Sequence, residues 1–138
     1  MRPPEEVKAE LVRQWRAKAE EDLNAAKALL SYGTSFLSTV GFHSQQAAEK
    51  YFKAFLAFRQ TEFPKTHDMG ELLALIAQTD SGLAASLRPA VLLTPYGVEI
   101  RYPGDAPELT EHQAGEAVRL AGMVRDAILA ALDKPAEG

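Results

Sequence analysis

Seven polar residues crowd into one short stretch: His43, Ser44, Gln45, Gln46, Glu49, Lys50 and Lys53 precede and interleave with the aromatic residues Tyr51, Phe52 and Phe55. His43, Gln46, Lys50 and Lys53 follow one another at three- and four-residue steps, which on a helix places them on one face. Such a stripe of imidazole, amide and ammonium groups suits a phosphate or the edge of a base. The same residues also suit capping by Ser44, solvation, and pairing with Asp22 or Glu49.

A second group lies further along, where Tyr96, Arg101 and Tyr102 stand beside Pro103. A guanidinium flanked by aromatic rings can hold phosphate through two hydrogen bonds while the rings stack on bases. Alternatively the tyrosines fasten a loop to the body of the protein and Arg101 pairs with Asp105 or Glu99. The third group is Thr66-His67-Asp68, after Pro64. Thr66 reads as a helix N-cap and Asp68 suits the positive end of the helix dipole, while His67 keeps an imidazole able to exchange protons near neutrality.

Other chemistries fall away. The three histidines, His43, His67 and His112, are far apart in the sequence and no two of them stand at metal-ligand spacing, so no metal or cofactor is expected. The chain has no cysteine, which removes disulfides, thiolate metal sites and cysteine nucleophiles. There is no glycine-rich phosphate loop after a strand and no Gly-x-Ser-x-Gly.

The elements that must position these groups are helices. Val7, Leu11, Trp15, Ala19, Leu23, Ala26 and Leu30 recur at helical steps from Pro3–Pro4 to Ser31, closed by Gly33. Ser35 to Arg59 has an apolar face covering well over half the wheel, as in a central helix or one with a partner chain on its far side. His67 to Gln78 forms a third helix. Asp80 or Ser81 caps a fourth that runs to Leu93 and must bend or split near Arg88, because Pro89 removes a hydrogen bond. Thr110 caps the last, up to Lys134–Pro135. The segment TPYGVEIRYPGDAPEL between the last two is too rich in Pro and Gly to be helical throughout. The expected fold is all-α: an up-and-down four-helix bundle with an additional short helix, one domain over residues 1–138 with its core over about 5–133.

At 138 residues, with 46% hydrophobic and 25% charged side chains, the chain is long enough for a self-sufficient core. A net charge of −4 excludes a protein that coats nucleic acid with its whole surface. The charge is uneven, however, and only residues 43–67 are net positive, through Lys50, Lys53, Arg59 and Lys65. Without an export signal or a long apolar run, the expected location is the cytoplasm and no membrane partner is expected.

The three groups in this order, His43-Ser44-Gln45-Gln46-Ala47-Ala48-Glu49-Lys50 with Tyr51-Phe52-Lys53-Ala54, then Thr66-His67-Asp68, then Arg101-Tyr102-Pro103, resemble the HEPN family. Ala25 to Leu30, preceded by Asp22-Leu23, is similar to that family's first helix, and the likeness spans about residues 13 to 132. The resemblance implies a helical bundle that commonly forms a homodimer and is often encoded beside a small nucleotidyltransferase as a two-component, toxin–antitoxin-like pair. It also implies nucleotide binding and, for many members, metal-independent ribonuclease activity through Arg, four to six residues, then His. Here Arg59 and His67 have seven residues between them, and Arg101 and His112 have ten, so neither pair fits that spacing.

The reading is a HEPN-like nucleotide- or RNA-binding module, the partner of a nucleotidyltransferase-family protein. The binding residues are His43, Gln46, Lys50, Lys53, Arg101 and Tyr102. The alternatives are an endoribonuclease toxin with a degenerate motif, its catalytic candidates Arg101, His112 and His67, or a purely structural adaptor.

Overall fold

A computed structural model describes residues 4–97 and 108–134. The described residues form α1 (Pro4–Leu30), α2 (Leu37–Phe58), α3 (Met69–Thr79), α4 (Ser81–Leu87), a 3-10 helix (Arg88–Gly97) and α5 (Glu111–Leu132). No strand occurs among them. The all-helical expectation holds.

Local chemistry sets most of the helix ends. Pro4 opens α1 where its missing N–H would have no partner, and Glu5 and Glu6 in the first turn complement the dipole. Beyond α1 the chain reverses through Gly33, whose φ of +97° lies in the left-handed region. Asp68, not Thr66, is the N-cap of α3: its carboxylate accepts from the backbone N–H groups of Gly70 at 2.9 Å and Glu71 at 3.4 Å. Thr66 instead buttresses the cap, its hydroxyl accepting from the Asp68 N–H and donating to Glu71. Asp80 caps α4 through the Leu83 N–H. Thr110 and Gln113 cap α5 reciprocally, each side chain bonding the other's backbone N–H.

The expected fourth helix is two pieces. The α-helical ladder stops at Leu87 and the chain continues as a 3-10 helix from Arg88, because Pro89 has no N–H to donate back along the helix. That tighter winding carries Thr94–Gly97, the start of the segment expected to be a loop.

The core is built around α2, which packs against α1, α5, α3 and the 3-10 helix. Its Tyr51, Phe52, Phe55 and Leu56 are fully buried. From α1 come Ala19, Leu23 and Ala26, and from α5 Ala121, Val124 and Ile128. The wide apolar face of α2 is therefore used up within one chain, the first of the two arrangements the sequence allowed. By contrast Val7 and Leu11 of α1, on the same apolar stripe as Leu23, are 38% and 45% exposed. They line an open groove with Trp15 and Phe63.

Candidate nucleotide-binding site

Asp22 belongs to the inward face of α1, between Ala19 and Ala26, so its carboxylate points at α2 rather than at water. There it meets two residues one helical stripe apart. Its Oδ1 is 2.9 Å from His43 Nδ1, and its Oδ2 accepts from Lys50 Nζ. His43, Gln46 and Lys50 are all part-buried along this edge of α2.

A second carboxylate repeats the arrangement one turn on. Glu49 is almost fully buried; its Oε2 accepts from Lys53 Nζ at 2.9 Å and its Oε1 lies 2.9 Å from His67 Nδ1. Gln45 Nε2 donates to the same Oε1 at 3.0 Å. Burial pushes the Glu49 carboxyl upward, but donors from Gln45, Lys53 and His67 together with the Lys53 charge outweigh it, leaving the group below the usual carboxylate range. Glu49 is thus an anion inside the protein.

Lys53 does not join the outward stripe with His43, Gln46 and Lys50. Only 7% of the residue is exposed, and its ammonium sits 5.4 Å from the Trp15 ring centroid and 6.0 Å from that of Phe63. The ion pair with Glu49 and these two rings draw it inward. His67 is the reverse case, with its side chain 72% exposed although its Nδ1 is tied to a buried group.

The two halves are linked by amides. Gln46 Nε2 donates to Gln45 Oε1 at 2.7 Å, and Gln45 in turn reaches Glu49 and the backbone carbonyl of His67. The polar run expected at the mouth of the second helix lies well inside it, since α2 begins at Leu37. Ser44 therefore caps nothing, and its buried hydroxyl has no hydrogen-bond partner among the described residues.

Both ends of the segment 98–107 are seated against these same turns of α2. A Cβ on Gly97 would stand 3.0 Å from Gln45 Cδ, and one on Gly41 would stand 2.8 Å from Leu109 Cδ2 and 3.3 Å from Tyr96 Cγ. A side chain at either point would have to displace these neighbours, so glycine lets the two approach closely here. The Leu109 N–H also donates to Ser38 Oγ. Arg101, Tyr102, Glu99 and Asp105 lie outside the described residues, so the expectations for them are not placed by the structure.

A model of the HEPN domain matches residues 12–131. The chain belongs to the HEPN family. Solved structures agree with that assignment: TT1696 from Thermus thermophilus aligns over 86% of this chain and 96% of its own, at 26% identity and a TM-score of 0.70. ST0689, an archaeal HEPN homologue, aligns over 88% and 98%, at 25% identity and a TM-score of 0.70. No curated protein matches.

Within this HEPN chain the remaining catalytic candidate, His112, stands on the exposed first turn of α5. It lines a hollow of about 200 Å³ with Tyr96, Leu92 and Glu116, and no hydrogen bond among the described residues joins it to the Asp22 or Glu49 groups. Among the described residues no cluster of His, Asp and Glu could hold a metal ion, and no helix is long and apolar enough to cross a membrane. The residues the sequence reading left out of the site are Asp22, Gln45 and Glu49. A carboxylate on an otherwise apolar helix face is the signal that marks Asp22.

Proposed function

We propose that this HEPN protein is a nucleotide- or RNA-binding module whose ligand lies against the middle turns of α2 and the entry to α3. The observation that supports it is convergence. His43, Gln46 and Lys50 share one edge of α2, His67 is tied to the next turn through Glu49, and the residues flanking the segment that bears Arg101 and Tyr102 pack on α2 at Gly41 and Gln45. With Lys50 facing Asp22 and Lys53 facing Glu49, the described part of the site carries balanced charge when the imidazoles are neutral. Anion capture then falls chiefly to Arg101, which grips a phosphate through two hydrogen bonds, with Tyr102 stacking on a base. Lys53 acts from inside as the counter-ion of Glu49.

In the same reading the protein is a homodimer and the partner of a small nucleotidyltransferase in a two-component, toxin–antitoxin-like pair located in the cytoplasm. A neighbouring gene for a nucleotidyltransferase, and light scattering that gives twice the 15.1 kDa chain mass, are the corresponding checks. One observation favours a ribonuclease as the second reading: His67 is an exposed imidazole held by a buried carboxylate, the arrangement of an oriented proton carrier.

Titration with single-stranded RNA and with ATP tests the binding reading. Binding weakens with salt along a shallow slope, because few cations take part. Arg101→Ala weakens it more than Lys50→Ala does, and Arg101→Lys recovers part of the loss. No salt-sensitive binding at millimolar ligand would refute the reading and leave the adaptor.

A further inference from the structure

An imidazole that is 72% exposed would ordinarily sample several rotamers; His67 is held instead at both its backbone and its ring. Its carbonyl accepts from Gln45 Nε2 at 3.4 Å, and it immediately precedes Asp68, the cap of α3. Its Nδ1 lies 2.9 Å from Glu49 Oε1. Glu49 is immobile in turn, because Gln45 donates to the same oxygen and Lys53 to the other, and Lys53 is enclosed by Trp15 and Phe63.

An ionised carboxylate can only accept hydrogen bonds, so the proton on this contact belongs to the His67 ring at Nδ1. In the neutral imidazole the other nitrogen, Nε2, then carries the free lone pair. The exposed edge of His67 is accordingly an acceptor, suited to a hydroxyl or amine of a ligand and unsuited to a phosphate oxygen. The phosphate-binding work of the site falls to other groups, and His67 is left to read a donor.

We propose that Glu49 is a positioning residue that holds His67 in its Nδ1-protonated tautomer, and that Nε2 accepts a hydrogen bond from the 2′-hydroxyl of a bound ribonucleotide. This rests on the binding reading above and adds to it a basis for preferring ribose over deoxyribose. A net hydrogen bond of this kind corresponds to roughly three- to tenfold in affinity.

The test has two parts. Nitrogen-15 NMR of the free protein in mildly alkaline buffer reads the tautomer directly, with His43 as an internal reference whose own partner, Asp22, is untouched. The wild type shows Nδ1–H at His67, and a Glu49→Leu/Lys53→Met variant, which removes the acceptor and its counter-ion together, does not. An Nε2–H tautomer in the wild type overturns the proposal.

The second part compares a single-stranded RNA oligonucleotide with the DNA of the same sequence. The wild type prefers the RNA by the factor given above, and the preference disappears in the Glu49→Leu/Lys53→Met variant and in His67→Ala. His67 is exposed, so His67→Ala decides the matter even if the double variant does not fold. Equal binding of the two oligonucleotides by the wild type, or a preference that survives His67→Ala, overturns this proposal alone. Failure of both to bind overturns it together with the reading on which it rests.

Discussion

The buried pair of Glu49 and Lys53 gives the sharpest quantitative expectation. At 2.9 Å and an effective dielectric constant of about 20, the attraction between unit charges is about 6 kcal/mol. Removing both groups from water opposes this by several kcal/mol per ion, so the pair as a whole contributes little net stability. Breaking it is different. Lys53→Met leaves a carboxylate that is still served by Gln45 and His67, and should lower stability by about 2–3 kcal/mol. Glu49→Gln leaves an ammonium among Trp15 and Phe63 without a counter-charge, and should lower it by about 3–5 kcal/mol. The double variant should lose only about 1–2 kcal/mol, a coupling energy of at least about 3 kcal/mol. Urea denaturation of the four proteins measures the cycle, provided the slopes agree so that the states compared are the same. Single losses that add to within about 0.5 kcal/mol in the double variant would refute the reasoning, since they would mean that the two charges do not interact in the folded chain.

Further outcomes follow from other residues. Phe52→Ala or Phe55→Ala, each at a fully buried position, should lower stability by about 3–5 kcal/mol; an unchanged melting temperature in both would contradict the placement of the core. The Glu49 carboxyl is held below its ordinary value of 4.5 in the folded state, so its contribution is present above that pH and is lost as pH falls through the folded value. Wild-type stability should therefore drop as acid is added below about 4.5, and Glu49→Gln should lose less over the same interval in a pH series of melting curves. Gln60 closes α2 with φ of +56°, the Thr61 N–H returning to Leu56 and the Gln60 N–H to Ala57. Gln60→Gly should raise stability by about 0.5–1 kcal/mol, and a loss on the same denaturation scale would count against that backbone geometry.

Long-period signals were legible in the sequence and pairwise ones were less so. The helical spacing of α1, α2 and α5 placed their ends to within a few residues, and Pro89 marked the break after α4 because its effect depends on one missing N–H. The sequence points to Thr66 as the N-cap of α3 where the structure has Asp68, because both are good cap residues and only the path of the backbone decides between them. Periodicity also put Lys53 on the polar stripe three residues after Lys50, where it would face water. Trp15 and Phe63, distant in sequence, pull it inward instead, and no local pattern records that. Val7 and Leu11 show the opposite effect: their spacing matches the buried stripe, yet the fold leaves their end of α1 beside an open groove. Asp22 and Glu49 were named only as pairing partners, whereas the structure makes them the fixed points around which the imidazoles and ammonium groups are arranged.

The location of the ligand is tested most directly by following the backbone amide signals of the protein by NMR during titration with single-stranded RNA, and again with ATP. The account predicts shifts concentrated on His43 to Lys53, Thr66 to Asp68 and the chain on either side of Arg101. Shifts centred instead on the groove of Val7, Leu11, Trp15 and Phe63, or none at all at millimolar ligand, would contradict it.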